Sequence, residues 1–310
     1  MNSQTKEFLG ILNSIDFHRI KDHPNILIAA NFWEKERYEA AKTCYRYMRA
    51  IDDLIDNYKA ANKAIGSGIR DEFISNVDDW LNVLISPDNT YPDQADLART
   101  ISRFRIPLWP LQAFARSMVY DINNDGFPTL QSFLDYSQGA SVAPASIFVH
   151  LCGLTAENND YRDPLFDVRR AATPCAIFSY VVHIIRDFQK DQTNNLNYFA
   201  DETIEKNGLT RDDLRQIAGG KPVPPGFRNM IREYCALAAE YRDKTANIIK
   251  EISPLVGSRY RLSLRIIFDL YQMIFERIDA EKSNFTISEL NPTPEETRER
   301  VYRTISGFRN

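Results

Sequence analysis

The sequence has no run of about 18 apolar residues, so no membrane-spanning helix is expected. Glycine is scarce, with 12 residues in 310, and no stretch alternates apolar and polar side chains with period two for more than a few residues. Both shortages argue against a β-rich protein. The four cysteines (Cys44, Cys152, Cys175 and Cys235) are scattered, without CxxC or zinc-finger spacing. They read as free thiols in a reducing compartment. Net charge is −4 and there is no basic stripe, so a nucleic-acid partner is not expected. Met1 to Glu7 lack the apolar core of a signal peptide, and the charged C-terminus carries no anchor. The expected location is the cytoplasm, with peripheral contact at the inner face of a membrane if the substrate is a lipid.

What is plentiful is apolar spacing of three and four. Tyr38, Ala41, Cys44, Tyr45, Met48, Ile51, Leu54 and Ile55 form one continuous face and predict a long helix over 34–60. Similar patterns predict helices over 7–20, 70–85, 94–104, 107–120, 128–153, 165–192, 227–252, 256–279 and 293–306. The helix over 165–192 is apolar on more than one face, so it should be central, with Pro174 a candidate kink. The small-residue run Gly139 to Ser146 allows close packing, a kink or room for a ligand chain. Residues 193–209 are polar and irregular, and Gly219 to Gly226 is a loop. No sheet is needed, and no linker-like break divides the chain. The expectation is a single all-α domain over 1–310.

Within the helix over 34–60, Asp52, Asp53 and Asp56 put three carboxylates in five residues. Asp52 and Asp56 lie four apart, hence on one helical face. Adjacent carboxylates on a buried face repel each other and resist desolvation. A hard divalent cation would remove that cost. A second pair with the same spacing, Asp187 and Asp191, ends the helix over 165–192. Arg49 lies three residues before Asp52, and Arg186 directly before Asp187. The two pairs are expected to face each other across one cavity. Two purely structural Asp–Arg networks at helix ends would give the same pattern. Asp121 to Gly126 imitates the start of a calcium loop, but Ser132 stands where the twelfth-position glutamate belongs, so calcium is rejected. Asp78 and Asp79 read as a solvated face.

Together these motifs resemble the squalene/phytoene synthase family of head-to-head prenyl synthases. Tyr45, Arg49, Asp52, Asp53 and Asp56 match its first motif in order, and Arg186, Asp187 and Asp191 match its second, followed by Tyr198 and Phe199. Asp121, with Phe127, Thr129 and Tyr136, looks like the Asp and Tyr that precede the family's kinked helix, and His23 sits near its flexible His/Ser loop. The resemblance covers about residues 20–280. The chain departs from it at Tyr180, His183 and Leu196, where Gln, Asn and Arg are usual. His183 reads either as a satisfied core histidine or as a contact to metal or diphosphate.

The resemblance implies an isoprenoid-synthase-type helical bundle around a central cavity. It implies Mg²⁺ on Asp52, Asp53, Asp56, Asp187 and Asp191, with Tyr45, Arg49, Asp52, Tyr136 and Asp187 in catalytic roles. His23, Arg49, Asp121, His183, Arg186, Tyr198, Tyr260 and Arg265 would contact substrate. A wall of Phe178, Tyr180, Val181, Ile184, Phe268 and Tyr271 would exclude water and stabilise a cation. The implied reaction joins two prenyl diphosphates, farnesyl diphosphate first, through a cyclopropylcarbinyl diphosphate to a linear C30 product. NADPH is needed if that product is squalene. The alternatives are phytoene formation from geranylgeranyl diphosphate, a single-substrate terpene synthase, and a non-catalytic lipid-binding or assembly member of the family. Retention of all four aspartates argues against the last.

Overall fold

The computed structural model describes residues 3–20, 25–62, 65–86 and 92–309. Among these, the chain runs through α1 (Ser3–Ser14), α2 (Asn25–Ala30), α3 (Lys35–Asn62), α4 (Ser67–Ile85), α5 (Pro92–Arg103), α6 (Trp109–Asn123) and α7 (Leu130–Ser137). A π-helical segment, Gln138–Val142, leads into α8 (Ala143–Gly153). A short hairpin follows, β1 (Thr155–Glu157) with β2 (Asp160–Arg162). The second half comprises α9 (Val168–Arg186), α10 (Phe188–Thr193), α11 (Asp201–Lys206), α12 (Arg211–Ala218) and α13 (Pro225–Ile252). It closes with α14 (Ser258–Phe275), α15 (Ile287–Leu290) and α16 (Pro294–Gly307).

The helix ends carry their chemistry in the sequence. Thr129, Thr210 and Thr293 each cap a helix with a side-chain oxygen, and each is answered three residues on by Ser132, Asp213 or Glu296 in a capping box. Pro225 and Pro294 stand at first helical positions, where a missing N–H costs nothing.

Helix α9 is central. Ala171, Ala172, Ala176, Ile177, Phe178, Val181, Val182, Ile184 and Ile185 are all buried, and the helix packs on α8, α13 and α14. It continues through Pro174. The buried side chains form two clusters, one under α1–α6 and α8, the other around α9, α13 and the loops after α10. Tyr271 packs against both, and the helices form one domain.

Four local features differ from the sequence reading. A sheet is present after all, though a minimal one. Its two strands have three residues each, too few for alternation to register, and Asn158 and Asn159 supply the positive φ values (48° and 64°) that a tight hairpin turn requires. The helix expected over 128–153 is interrupted by the π-turn. Gly139 there lies so close to Ala113 that a Cβ would sit 2.3 Å from its carbonyl oxygen. The helix expected over 165–192 breaks at Asp187, whose φ of −91° and ψ of 4° leave the α region. Within the stretch read as irregular, α11 forms over Asp201–Lys206. No described helix is long and apolar enough to cross a membrane. All four cysteines are free.

Candidate active site

Helix α3 carries the first motif. Ile51 and Ile55 are buried, which fixes its rotation and turns Asp52 and Asp56 inward. Arg49 sits on the outer edge of the same turn. It donates to Asp52 Oδ2 at 2.8 Å and to Asp53 Oδ1 at 2.5 Å. Asp53 is thus tied to Arg49 at the half-exposed rim, while Asp52 and Asp56 look into the protein. Burial, then the neighbouring Asp56 carboxylate, pushes Asp52 up to about 7. Burial, then Asp121, pushes Asp56 up to about 6.

Helix α6 supplies Asp121 to the same space. Burial raises it to about 7, against the opposing pull of Lys59 and of the hydrogen bond from Tyr136. Tyr136 of α7 donates to Asp121 Oδ2 at 2.6 Å. Around this bond stands a layer of rings. Phe127 lies 4.9 Å from Tyr136 and 6.4 Å from Tyr198, centroid to centroid. Tyr180 lies 6.3 Å from Tyr136 and 6.1 Å from Tyr198. The phenols of Tyr136, Tyr180 and Tyr198 are each raised well above the ordinary value, by burial first and by Asp121 among the acids nearby. They are held neutral beside the carboxylates.

The second motif is built differently. Arg186 forks onto its own neighbour Asp187, with Nε to Oδ1 at 2.6 Å and Nη2 to Oδ2 at 2.8 Å. His183, one turn earlier on α9, places Nε2 2.7 Å from Asp187 Oδ2. Burial would raise Asp187, but His183 and Arg186, both hydrogen-bonded to it, overcome that and hold the carboxyl far below the usual carboxylate range. Burial also lowers His183. Asp191 has no such support. It is raised well above normal by burial, then by Asp187, and Asp56 of α3 also acts on it. That influence of Asp56 on Asp191 is the electrostatic mark of the two motifs facing one another. Tyr271 of α14 has Arg186, Asp187 and Tyr45 among its neighbours, and burial pushes its phenol up to about 12 against the pull of Arg186.

The sequence-nominated residues therefore divide. Tyr45, Arg49, Asp52, Asp53, Asp56, Asp121, Tyr136, His183, Arg186, Asp187, Asp191 and Tyr198 gather around one region. Tyr260 and Arg265 do not join them. The Tyr260 hydroxyl donates to Glu34, and the Arg37 guanidinium covers its ring at 4.2 Å. Arg37 and Asp52 share α3 and are about 22 Å apart along its axis at 1.5 Å per residue. Arg265 is exposed and paired with Asp269 at 3.1 Å. His23 lies outside the described residues. The expected aromatic wall also divides. Phe178 packs on Phe268 and Phe275 in the core, whereas Tyr180 joins the tyrosine layer, because residues two apart on a helix point about 200° apart. Sequence reasoning missed Lys59, a buried lysine whose charge reaches Asp56 and Asp121. The signal was present, since it follows Asp56 by three and so shares its face.

Two hollows deserve separation. One of about 330 Å³ is lined by Arg105, Glu157, Asp160, Tyr161, Arg162 and Asp163. It belongs to the hairpin end, near the start of α3, where Arg103 bonds Glu36. Its charges are already paired, Arg105 with Asp163 and Arg162 with Glu157. The other, about 20 Å³, is bordered by Lys59, Asp121, Phe127, Leu196, Asn197 and Tyr198 beside the aspartates. That is room for about one water.

A divalent ion fits the donor set. Asp52, Asp56 and Asp191 are hard oxygen ligands whose ionised forms are disfavoured by burial and by neighbouring carboxylates, and a cation would relieve both. Among the described residues, no three His, Cys, Asp or Glu side chains form a ready-made cage. Mg²⁺ in general keeps several waters and binds through one or two carboxylates plus phosphate oxygens.

Comparison with known proteins bears on the family and the fold. The family model described as squalene/phytoene synthase matches residues 21–303. A dehydrosqualene synthase crystallised with ligand is similar in fold, with TM-score 0.71, 14% identity and 97% of each chain covered. The squalene synthase HpnC from Alicyclobacillus acidocaldarius gives 0.65 and 17%, covering 87% of this chain and 94% of its own. YisP from Bacillus subtilis subsp. subtilis strain 168 gives 0.62 and 12%, covering 97% and 98%. No curated protein matches in sequence. With two aspartate pairs converging on a tyrosine-lined interior and a family match that runs through nearly the whole chain, the protein belongs to the squalene/phytoene synthase family and is a prenyltransferase.

Proposed function

We propose that the chain catalyses a Mg²⁺-dependent head-to-head condensation of two farnesyl diphosphates, through a cyclopropylcarbinyl diphosphate, to a linear C30 squalene-type product. One observation carries the reading. Asp52, Asp56 and Asp191, on α3 and α10, are buried carboxylates pushed toward protonation by burial and by the carboxylates nearest each, Asp56 for Asp52, Asp121 for Asp56 and Asp187 for Asp191, beside a layer of neutral tyrosines.

Asp52, Asp56 and Asp191 would hold the metal, with Asp53 at the rim. When bound, Mg²⁺ supplies charge neutralisation for the departing diphosphate. The remaining work falls to the chain. Arg49 offers a half-exposed guanidinium beside the metal ligands, suited to forked contacts with phosphate oxygens. Asp187 holds the Arg186 fork in place, so that cation needs little reorganisation as charge develops. The ring faces of Tyr136, Tyr180 and Tyr198 attract an allylic cation, and their packing keeps water from capturing it. If the last cation is quenched by losing a proton, the Tyr136 oxygen would take that proton while passing its own hydrogen-bonded proton to the Asp121 carboxylate at Oδ2. If it is quenched by hydride, NADPH supplies that hydride.

The test is direct. Purified protein is incubated with Mg²⁺ and farnesyl or geranylgeranyl diphosphate, with and without NADPH, and products are identified by mass. A C30 hydrocarbon from the C15 substrate is expected. A C40 product would move the assignment to phytoene formation, and no diphosphate release from either substrate would sink the enzymatic reading.

A further inference from the structure

Lys59 plays no part in the reaction described above, yet it is only 5% exposed and sits within the acidic cluster. It follows Asp52 and Asp56 at helical spacing, so all three project from one face of α3. Its Nζ donates to the carbonyl of Asn124, just past the end of α6, at 2.9 Å. It borders the small hollow beside the aspartates together with Asp121 and Tyr198.

Capping α6 does not explain this placement. Asn124 is exposed, so water could serve its carbonyl, and a lysine serving only as a cap would keep its ammonium in solvent. Burying an ammonium is costly unless opposite charge surrounds it. Here the opposite charge is Asp56 and Asp121, one from its own helix and one from α6. Each is made more acidic by the ammonium, against the burial that raises it.

We propose that Lys59 is a resident counter-cation at the Asp56–Asp121 corner, which weakens the grip of the site on divalent ions and lets it hold fewer of them than its carboxylates alone would demand. The proposal rests on reading the aspartates as a metal–diphosphate site. Its physical content is simple. An ammonium fixed by the fold does part of the neutralising that an exchangeable ion would otherwise do, and it repels a second such ion from the same corner.

The test measures metal binding without turnover. Mn²⁺ is titrated into metal-free protein at fixed pH and salt, with free Mn²⁺ followed by electron paramagnetic resonance. Lys59→Gln keeps a donor for the Asn124 carbonyl but removes the charge, Lys59→Met removes both, and Lys59→Arg keeps the charge. The neutral variants should bind Mn²⁺ about tenfold more tightly than wild type, the size of a unit-charge effect on a divalent ion a few ångströms away through a water-like dielectric. Lys59→Arg should resemble wild type. Unchanged affinity in folded Lys59→Gln or Lys59→Met would overturn the proposal. So would failure of both neutral variants to fold, checked by circular dichroism, since the charge would then serve the fold. No Mn²⁺ binding by wild type would instead overturn the metal reading on which it rests.

Discussion

The two aspartate pairs share a spacing and differ in almost everything else. Asp52 and Asp56 stand on an unbroken helix, and their negative charge is only partly answered from the rim by Arg49 and from inside by Lys59. Asp187 stands at a helix break and is answered completely, by Arg186 forking onto it and His183 beside it. The first pair is electrostatically unfinished and calls for an added cation. The second holds one member, Asp187, that is finished and one, Asp191, that is not. A motif of repeated letters therefore hides two tasks, gathering metal and holding a fixed cation toward the diphosphate.

That contrast can be broken by mutation. Asp187→Ala should cost most, because it leaves the Arg186 guanidinium buried without its partner. Turnover should fall at least ~10³-fold and unfolding free energy by about 3 kcal/mol, measured by diphosphate release and urea titration. Asp52→Asn should lose turnover by a similar ~10²–10³-fold, yet leave metal-free stability unchanged or higher, since it removes a disfavoured charge. Equal stability losses in the two variants would erase the distinction.

Proton titration sharpens it further. Asp52 and Asp121 are raised to about 7 and Asp56 to about 6, above the ordinary aspartate value of about 3.9. Between those values the folded state binds more protons than the unfolded chain. Metal-free stability should therefore fall as pH rises from about 4 to about 7, by about 5 °C in Tm. Mg²⁺ should restore it, and increasingly so as the carboxylates ionise. Asp187 has the opposite sign, and its contribution is lost only when pH drops below the normal aspartate range. A metal-free melting profile flat across that window would contradict this account.

Smaller effects should follow elsewhere. His183→Asn removes one partner of Asp187 but keeps Arg186, and should lower turnover about tenfold, as loss of one charge-assisted hydrogen bond does. Arg265→Ala and Tyr260→Phe should change turnover less than about twofold, because surface and remote contacts carry little. A large loss of diphosphate release in either would mean that Tyr260 or Arg265 reaches the substrate.

Much of this was legible in the chain. Helical period put Asp52 with Asp56 and Asp187 with Asp191, and the apolar excess of residues 168–186 made α9 central. Helical period also held two signals that were passed over. Lys59 shares the face of Asp56, and Phe178 cannot share the face of Tyr180. Other features had no local signal. The break at Asp187 depends on a backbone conformation outside the helical region. The separation of Tyr260 from the aspartates depends on where α14 meets the start of α3, where Arg37 covers its ring. Such crossings are set by tertiary packing, which spacing along one helix does not encode.

The π-turn between α7 and α8 has a consequence of its own. A π-turn is a helix carrying one residue more than its length requires. Tyr136 lies just before it and the buried face of α8 just after. Shortening the chain by a single residue within 138–142 would restore an even helix and turn Tyr136 by about 100° relative to α8, parting its hydroxyl from Asp121. The rotational phase of the tyrosine layer is thus counted out in residues. An ancestor or variant differing by one deletion there would keep every side chain named above and present a different inner surface to the substrate.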